Sequence, residues 1–357
     1  MNKISAKHFM FLIFGTAIMS LKTYPAVFAA HNGRDVWIAT IIASIIFYIY
    51  YNYIISIYNY DVSISIKGIY KKAFGKYLGC TLLFFYALNL LLSSIESMSI
   101  EISAIHANIF IESPPWYIGL ILIIPSLYIV RKDMRSILIV TIIALGLMLL
   151  SGVLAEILVE KYKSYKLLLP IMQNGMTKDF ILSIIKIVSA YASIAITLPY
   201  ISSVEDNKKL KKYTIIALII TSIIEIFSIM GLVATFGPLR DTNIFYPKLI
   251  QTQRVSFWRF IESGDFLILM EIIGGWFIKF LLTFKTFCYV IEQLFETRIN
   301  KYFSYIVIVI IYITCYFITK NNYKLFQLLN HYLYICLFNY LLVPIVAFTL
   351  YKIRSKP

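Results

Sequence analysis

Long apolar runs separated by short polar linkers make up nearly all of this sequence of 357 residues. Ten of the runs approach or exceed the roughly 20 residues that a helix needs to cross a bilayer. Over such lengths only helices satisfy their own backbone hydrogen bonds in lipid, so the pattern predicts an all-α integral membrane protein with about ten transmembrane helices. The predicted spans, numbered 1 to 10 in order, are residues 8–30, 37–58, 79–108, 114–130, 136–156, 179–202, 213–236, 262–291, 302–319 and 331–351.

The composition narrows the possible functions. Hydrophobic residues make up 60% of the chain and charged residues only 14%, so the short linkers leave no room for a soluble kinase, ATPase or nucleic-acid-binding module. We expect one transmembrane domain over residues 1–357. The four cysteines lie in apolar stretches without C-x-x-C spacing, and the four histidines are widely scattered. No phosphate-binding glycine loop or nucleophile motif is present, so we expect no cofactor, no metal and no enzymatic activity.

The net charge of +15 is distributed as in a membrane protein. With the N-terminus inside, the basic clusters at 67–76, 131–135 and 208–212 all fall in cytoplasmic loops. This positive-inside bias predicts a multi-pass protein with both termini in the cytoplasm. The basic excess then anchors the chain to anionic lipid headgroups, and we expect the lipid bilayer, not nucleic acid, as its partner.

The chain divides at the loop 157–178 into two sets of five predicted helices. Because five is odd, the second set must run upside down relative to the first, which predicts LeuT-like inverted repeats over about 4–156 and 179–351. The first helix of each half carries small and hydroxylated residues that lead to a proline, at 15–25 and at 189–199. We expect helices 1 and 6 to be broken there and to offer backbone groups to a ligand. The candidate ligand-binding residues in these breaks are Thr16, Ser20, Thr23, Ser189, Ser193 and Thr197.

The third helix of each half carries a polar stripe. Polar or small residues recur every four positions from Asn89 to Glu101 and from Glu271 to Thr283, so each set lies on one helix face. A charge inside a membrane helix is costly and usually marks a functional site. Close helix packing is the alternative explanation for the serines and glycines. The further candidate ligand-binding residues are Ser93, Glu96, Ser97, Glu101, Glu271 and Lys279.

Three expectations concern the partners of the buried charges. Glu271 and Lys279 lie two turns apart, which is too far for them to pair in a straight helix. We therefore expect each to have a partner on another helix. Lys186 and Glu225 lie on adjacent predicted helices and are expected to pair. Lys22 either reaches the outer membrane interface or belongs to the site, and the sequence leaves both open.

Several short motifs carry a resemblance to a known family. They are Ile4-Ser-x-x-x-Phe9, Asp35-x-Trp37, Tyr246-Pro247, Arg254-Val-Ser-Phe257, Phe260-Ile-Glu262, Asp265, Leu267, Gly275, Phe277 and Lys279. On these residues the chain resembles the B subunits of GerA-type nutrient germinant receptors, which are spore-germination permeases of the amino acid–polyamine–organocation transporter superfamily. It departs from that family at Ser263-Gly264, where an arginine is usual, and at Ile272, where tryptophan is common.

The resemblance implies a subunit that works with an A subunit and a lipoprotein C subunit in the inner membrane of the dormant spore. It implies a small nutrient ligand, usually an amino acid, whose binding triggers germination. The carboxylate of such a ligand suits broken-helix N–H groups or Lys279, and its ammonium suits Glu96 or Glu101. Two alternatives stay open, an ion-coupled amino acid transporter with the same pocket and a conduit for water or ions.

Overall fold

The computed structural model describes residues 3–23, 25–29, 33–58, 64–238, 244–255 and 264–355. Within them the regular structure is helical apart from one isolated β-bridge between Ile4 and Val204. Every predicted span is mainly helical where it is described. We label the spans α1 (Ala6–Thr23, then Ala26–Ala29), α2 (Val36–Tyr58), α3 (Lys76–Asn108), α4 (Pro115–Ile129), α5 (Met134–Val159), α6 (Lys178–Tyr191, then Ala192–Ser203), α7 (Asn207–Phe236), α8 (Asp265–Phe295), α9 (Lys301–Thr319) and α10 (Asn322–Cys336, Leu337–Leu342, Val343–Arg354).

The membrane prediction is confirmed. Eight helices in the described part of the chain are long and apolar enough to span a bilayer, and α1 and α4 contribute two shorter apolar helices. We call the face that carries both chain termini the terminal face and the opposite one the distal face. The short helix Ile66–Phe74 follows α2 at the terminal face, and Pro247–Gln253 follows α7 at the distal face. The motif residues at 256–263 lie outside the described part of the chain.

The break in α1 lies at the end of the predicted range. Regular α-helix continues through Thr16 and Ser20 to Thr23, and a new helical turn begins at Ala26. Pro25 explains the position, since proline lacks the N–H that a continuing helix needs and disfavours α geometry in the residue before it. The first helix is therefore interrupted next to Thr23, whereas Thr16 and Ser20 remain within its regular part.

The irregular half of α6 is tightened, not unwound. From Ala192 to Ser203 the chain is a 3₁₀-helix of 12 residues, although runs longer than 3–4 residues are uncommon. Side chains of other helices hold it in place. The Tyr86 hydroxyl donates to the Ala195 carbonyl at 2.6 Å, and the Tyr51 and Thr197 hydroxyls are 2.5 Å apart.

The tenth helix contains an irregularity that its sequence pattern did not reveal. Leu337–Leu342 forms a π-helical segment that ends two residues before Pro344. In an unbroken α-helix, the carbonyl of Tyr340 would accept from residue 344, but proline has no N–H to donate. The Tyr50 hydroxyl of α2 supplies the missing donor at 2.8 Å.

The main helix contacts join one half of the chain to the other. α1 packs along α7 and α2 packs along α6, so the first helix of each half lies against the second helix of the other. The third helices, α3 and α8, pack against each other. Two-fold related repeats would produce this arrangement, and the repeat boundaries 4–156 and 179–351 stay a prediction. α8 also contacts α1 and α5, which places its polar stripe at the centre of the bundle.

Candidate functional site

Lys279 lies at the centre of the bundle, on α8. Its ammonium donates to Glu96 Oε2 of α3 at 2.5 Å and to Ser20 Oγ of α1 at 2.5 Å. Ser20 Oγ also donates to Glu96 Oε1 at 3.5 Å. The ammonium lies 4.9 Å from the centroid of the Trp276 ring, within cation–π range. We call Ser20, Glu96 and Lys279 the central triad. It joins three helices and contains three of the predicted ligand-binding residues.

The central triad is closed to solvent. The Lys279 side chain is 0% exposed and the Glu96 side chain is 2% exposed. Two buried charges persist only when each has a close partner, and removing one leaves the other uncompensated. Ser20 lies in the last turns of α1, where the carbonyl end of the helix dipole favours a nearby cation. The arrangement therefore places one positive and one negative group in contact at the centre of the bundle.

Glu271 has its own partner on another helix, as predicted. It pairs with Lys22 of α1, and both side chains are buried. Lys22 therefore lies in the interior and does not extend to the outer membrane interface, and its role in the site stays a prediction. Gly152 of α5 makes room for this pair, because a Cβ there would lie 3.1 Å from Glu271 Oε1 and 3.3 Å from Lys22 Nζ. Next to Lys22 in the chain, Thr23 accepts a hydrogen bond from Trp276 Nε1 at 3.0 Å.

The polar stripe of α3 faces tyrosines of α10. Ser93 Oγ lies 2.6 Å from the Tyr332 hydroxyl and 2.8 Å from the Tyr340 hydroxyl, and Ser97 donates to the Ser93 carbonyl at 2.7 Å. Glu101 is fully buried, and neither of its carboxylate oxygens has a hydrogen-bond partner among the described residues. The two tyrosines were not among the predicted site residues, since tyrosine is common on lipid-facing and interfacial surfaces.

The candidates in the helix breaks are only partly brought together. Ser193 donates to the Thr16 carbonyl at 3.0 Å and thereby ties α6 to α1. Ser189 donates to Ile185 within its own helix, and Thr197 contacts Tyr51 of α2. The described hydrogen bonds of these α6 hydroxyls thus connect to α1, α2 and α6 itself, whereas the central triad is built from α1, α3 and α8.

The predicted pair between Lys186 and Glu225 is wrong. Lys186 Nζ donates to the Val27 carbonyl at 3.2 Å, and Ser183 of the same helix donates to the Phe28 carbonyl at 2.7 Å. Both carbonyls belong to the short turn Ala26–Ala29, and the last carbonyls of a helix lack partners within it. The break after Thr23 therefore creates acceptors that Lys186 satisfies instead of Glu225.

A second group of charges lies near the distal face. Glu156 at the end of α5 accepts from Lys163 at 2.8 Å and from Lys248 of the helix Pro247–Gln253. Lys248 also donates to Gln251 Oε1 at 3.0 Å. Burial would lower the pKa of Lys163, but the hydrogen bonds to Glu156 and Glu160 outweigh it and raise that pKa. Sequence reasoning did not identify this group, because its members come from separate segments with no shared spacing.

Solved structures share this fold. The chain superposes on a mutant manganese transporter of Eremococcus coleocola with a TM-score of 0.65 and 14% identity, over 95% of this chain and 77% of that one. A Na⁺-coupled sialic acid symporter gives a TM-score of 0.62 and 12% identity, over 88% of this chain and 74% of that one. At such low identity the likeness concerns the fold alone, and it confirms the LeuT-like architecture.

Sequence comparison gives the family. The chain is 25% identical over 268 residues to spore germination protein XB of Bacillus anthracis, with 75% of each chain covered. The model of the spore permease family, described as spore germination protein, matches residues 3–323. The chain therefore belongs to the spore permease family of spore germination proteins.

Proposed function

We propose that this protein is the nutrient-sensing B subunit of a spore germinant receptor, and that it binds a small zwitterionic nutrient such as an amino acid at the central triad. The observation that carries the proposal is the buried contact of Lys279 with Glu96 and Ser20. Membership of the spore germination family and the transporter fold support it.

The chemistry of the central triad suits a zwitterion. A ligand that enters between Lys279 and Glu96 places its carboxylate on the ammonium and its ammonium on the carboxylate, so each buried charge keeps a partner. Glu101, on the same helix as Glu96 and without a partner in the described structure, is a second acceptor for the ligand ammonium. An uncharged ligand would leave Lys279 and Glu96 separated and unpaired, which is unfavourable.

Ligand binding is coupled to a helix rearrangement. Insertion between Lys279 and Glu96 requires α3 and α8 to move apart, and the same contact holds α1 through Ser20. A ligand shifts a conformational equilibrium only by its different affinity for the two states. We infer that the separated state is the one that signals to the A and C subunits in the inner spore membrane, with both termini of this chain cytoplasmic.

An ion-coupled amino acid transporter is the second candidate, because the fold is shared with solved transporters. The two candidates differ in what happens to the ligand after binding. A receptor subunit needs only to change shape, whereas a transporter must release the ligand on the other side of the membrane.

The test is dipicolinate release from spores that lack the gene, with and without complementation, across a panel of amino acids. Loss of the response to a particular nutrient, restored by the wild-type gene but not by Lys279→Ala, is the expected result. Lys178→Ala, at an exposed lysine, is the matched control. A normal response in the deletion strain together with gene-dependent uptake of labelled amino acid would overturn the receptor proposal in favour of the transporter.

A further inference from the structure

Among the buried or partly buried charges on the distal side of the central triad, six from α1, α5, α7, α8 and the adjoining segments form a group in which not every carboxylate has a partner. Lys22 and Glu271 form one pair. Glu156 accepts from two ammonium groups, those of Lys163 and Lys248. The sixth charge, Glu225 of α7, accepts from none among the described residues. We call these six residues the distal cluster: Lys22, Glu156, Lys163, Glu225, Lys248 and Glu271.

Glu225 is the unusual member of the distal cluster. Its side chain is 0% exposed, both carboxylate oxygens lack hydrogen-bond partners in the described structure, and it interacts electrostatically with Lys22 and Lys248. Thr221 and Ser228 lie one turn away on either side, and their buried hydroxyl oxygens also lack described partners. Buried polar groups in native proteins are almost always hydrogen-bonded. Three such groups on one helix face therefore indicate a place for a polar ligand.

Charge balance defines the class of ligand. Lys163 donates to both Glu156 and Glu160, so Glu156 keeps a partner when its second ammonium group, that of Lys248, turns to another group. The distal cluster then offers one carboxylate without a partner and one ammonium that another group can take over. A metal cation would satisfy only the carboxylate and an anion only the ammonium. A zwitterion satisfies both.

There is space next to the distal cluster. A cavity of about 470 Å³ is lined by Glu156, Lys163, Phe227 and Gly231, among others. Gly231 leaves room for the Lys163 side chain at the wall of this cavity, since a Cβ at this position would lie 3.2 Å from Lys163 Cε. Lys248 lies on the helix Pro247–Gln253, which contacts α1, α5, α7 and α8 and thus covers the cluster from the distal face.

We propose that the distal cluster is a second recognition site for an α-amino acid, with the ligand ammonium on Glu225 and its carboxylate on Lys248. The hydroxyls of Thr221 and Ser228 complete the acceptor set for the ammonium. The inference rests on the proposed function for the ligand class, but it assigns a different site. Because Lys22 and Glu271 connect the distal cluster to α1 and α8, occupation of this site acts on the helices that form the central triad.

The experiment measures equilibrium binding to the full-length purified protein in liposomes, with alanine, ethylamine and propanoate as probes. In a Lys279→Met background the central triad is disabled, so remaining alanine binding reports the distal cluster. We expect this binding to fall at least tenfold on addition of Glu225→Gln and to persist with Glu205→Gln, which removes an exposed carboxylate outside the distal cluster. Retention of alanine binding in the Glu225→Gln protein would overturn the inference.

A second variant, tested with two of the probes, checks the inference if Glu225→Gln fails to fold. Lys248→Met is expected to weaken binding of alanine at least tenfold while binding of ethylamine, which has no carboxylate, changes less than threefold. Equal losses for both probes would contradict the proposed role of Lys248. If Lys279→Met alone abolishes all alanine binding, the distal site is wrong and the proposed function stands. If alanine binding is unchanged in Lys279→Met, Glu225→Gln and their combination, both proposals fail.

Discussion

The ammonium of Lys279 and the carboxylate of Glu96 lie 2.5 Å apart, and this contact joins the third helices of the two predicted repeats. Each charge would be costly alone in the interior of a membrane protein, and together they are tolerated. The contact therefore has a structural role, and under the proposed function its two charged groups are also the ones that a zwitterionic ligand would take over.

A double-mutant cycle measures this coupling. Lys279→Met or Glu96→Gln alone leaves one buried group without its partner, so we expect each to lower the stability, with a loss of about 3–5 kcal/mol for an uncompensated charge. The combined variant should lose less than the sum of the two. Thermal unfolding in detergent is the measurement, and strictly additive losses would contradict the pairing.

Gly275 sets how closely α1 and α8 approach. A Cβ at this position would overlap the side chain of Met19. We expect Gly275→Ala to lower the thermal stability and weaken the nutrient response, since overpacking costs about 1–3 kcal/mol. Met19→Ala should restore much of the stability by removing the overlapping atoms. Failure of this second substitution to rescue would show that Gly275 acts in another way.

Gly152 is predicted to matter for the Lys22–Glu271 pair. Gly152→Ala places a methyl group closer than ordinary van der Waals contact to both charged side chains and should destabilise the protein. Gly146, on the same helix, is the matched control, because its Cβ would meet no atom within 4 Å. Unfolding temperatures of the two variants should therefore differ, and equal values would argue against close packing at the pair.

Tyr86 is expected to support the 3₁₀ part of α6. Tyr86→Phe removes the donor to the Ala195 carbonyl and should cost about 1 kcal/mol, the typical net value of one hydrogen bond. Tyr77→Phe, on the same helix and 85% exposed, is the control. The measurement is the free energy of unfolding of each variant relative to wild type. An unchanged value for Tyr86→Phe would mean that the 3₁₀ segment holds its form without this bond.

The terminal face carries an acid-sensitive contact. The hydrogen bond from Lys67, with the charges of Lys67 and Lys71, lowers the pKa of Glu296, which follows the end of α8. A carboxyl with a lowered pKa stabilises the fold above its ordinary pKa of 4.5, and the contribution is lost as the pH falls through the folded-state value. Thermal stability should therefore depend less on pH below about 5 in Glu296→Gln than in wild type, with Glu205→Gln as control. Identical pH profiles would contradict the assignment.

Hydropathy alone located the membrane helices, because the cost of exposing a backbone in lipid leaves few alternatives. The cost of burying charge likewise predicted interior positions for Lys279 and Glu96, and the two are buried and paired. The partners were harder to predict, since spacing along one helix does not say which other helix lies opposite. Lys186 illustrates this. Its acceptor is the Val27 carbonyl, which lacks a partner within its own helix because the break at Pro25 leaves only the short turn Ala26–Ala29.

The measurement that tests the central claim most directly is equilibrium binding of the nutrient identified in the spore assay to the purified protein. Wild type is compared with Lys279→Met and with Lys178→Ala, after gel filtration has shown that all three are folded. We predict a Kd at least tenfold higher for Lys279→Met, with competition by zwitterions only, and no change for Lys178→Ala. An unchanged Kd in folded Lys279→Met would contradict ligand binding at the central triad.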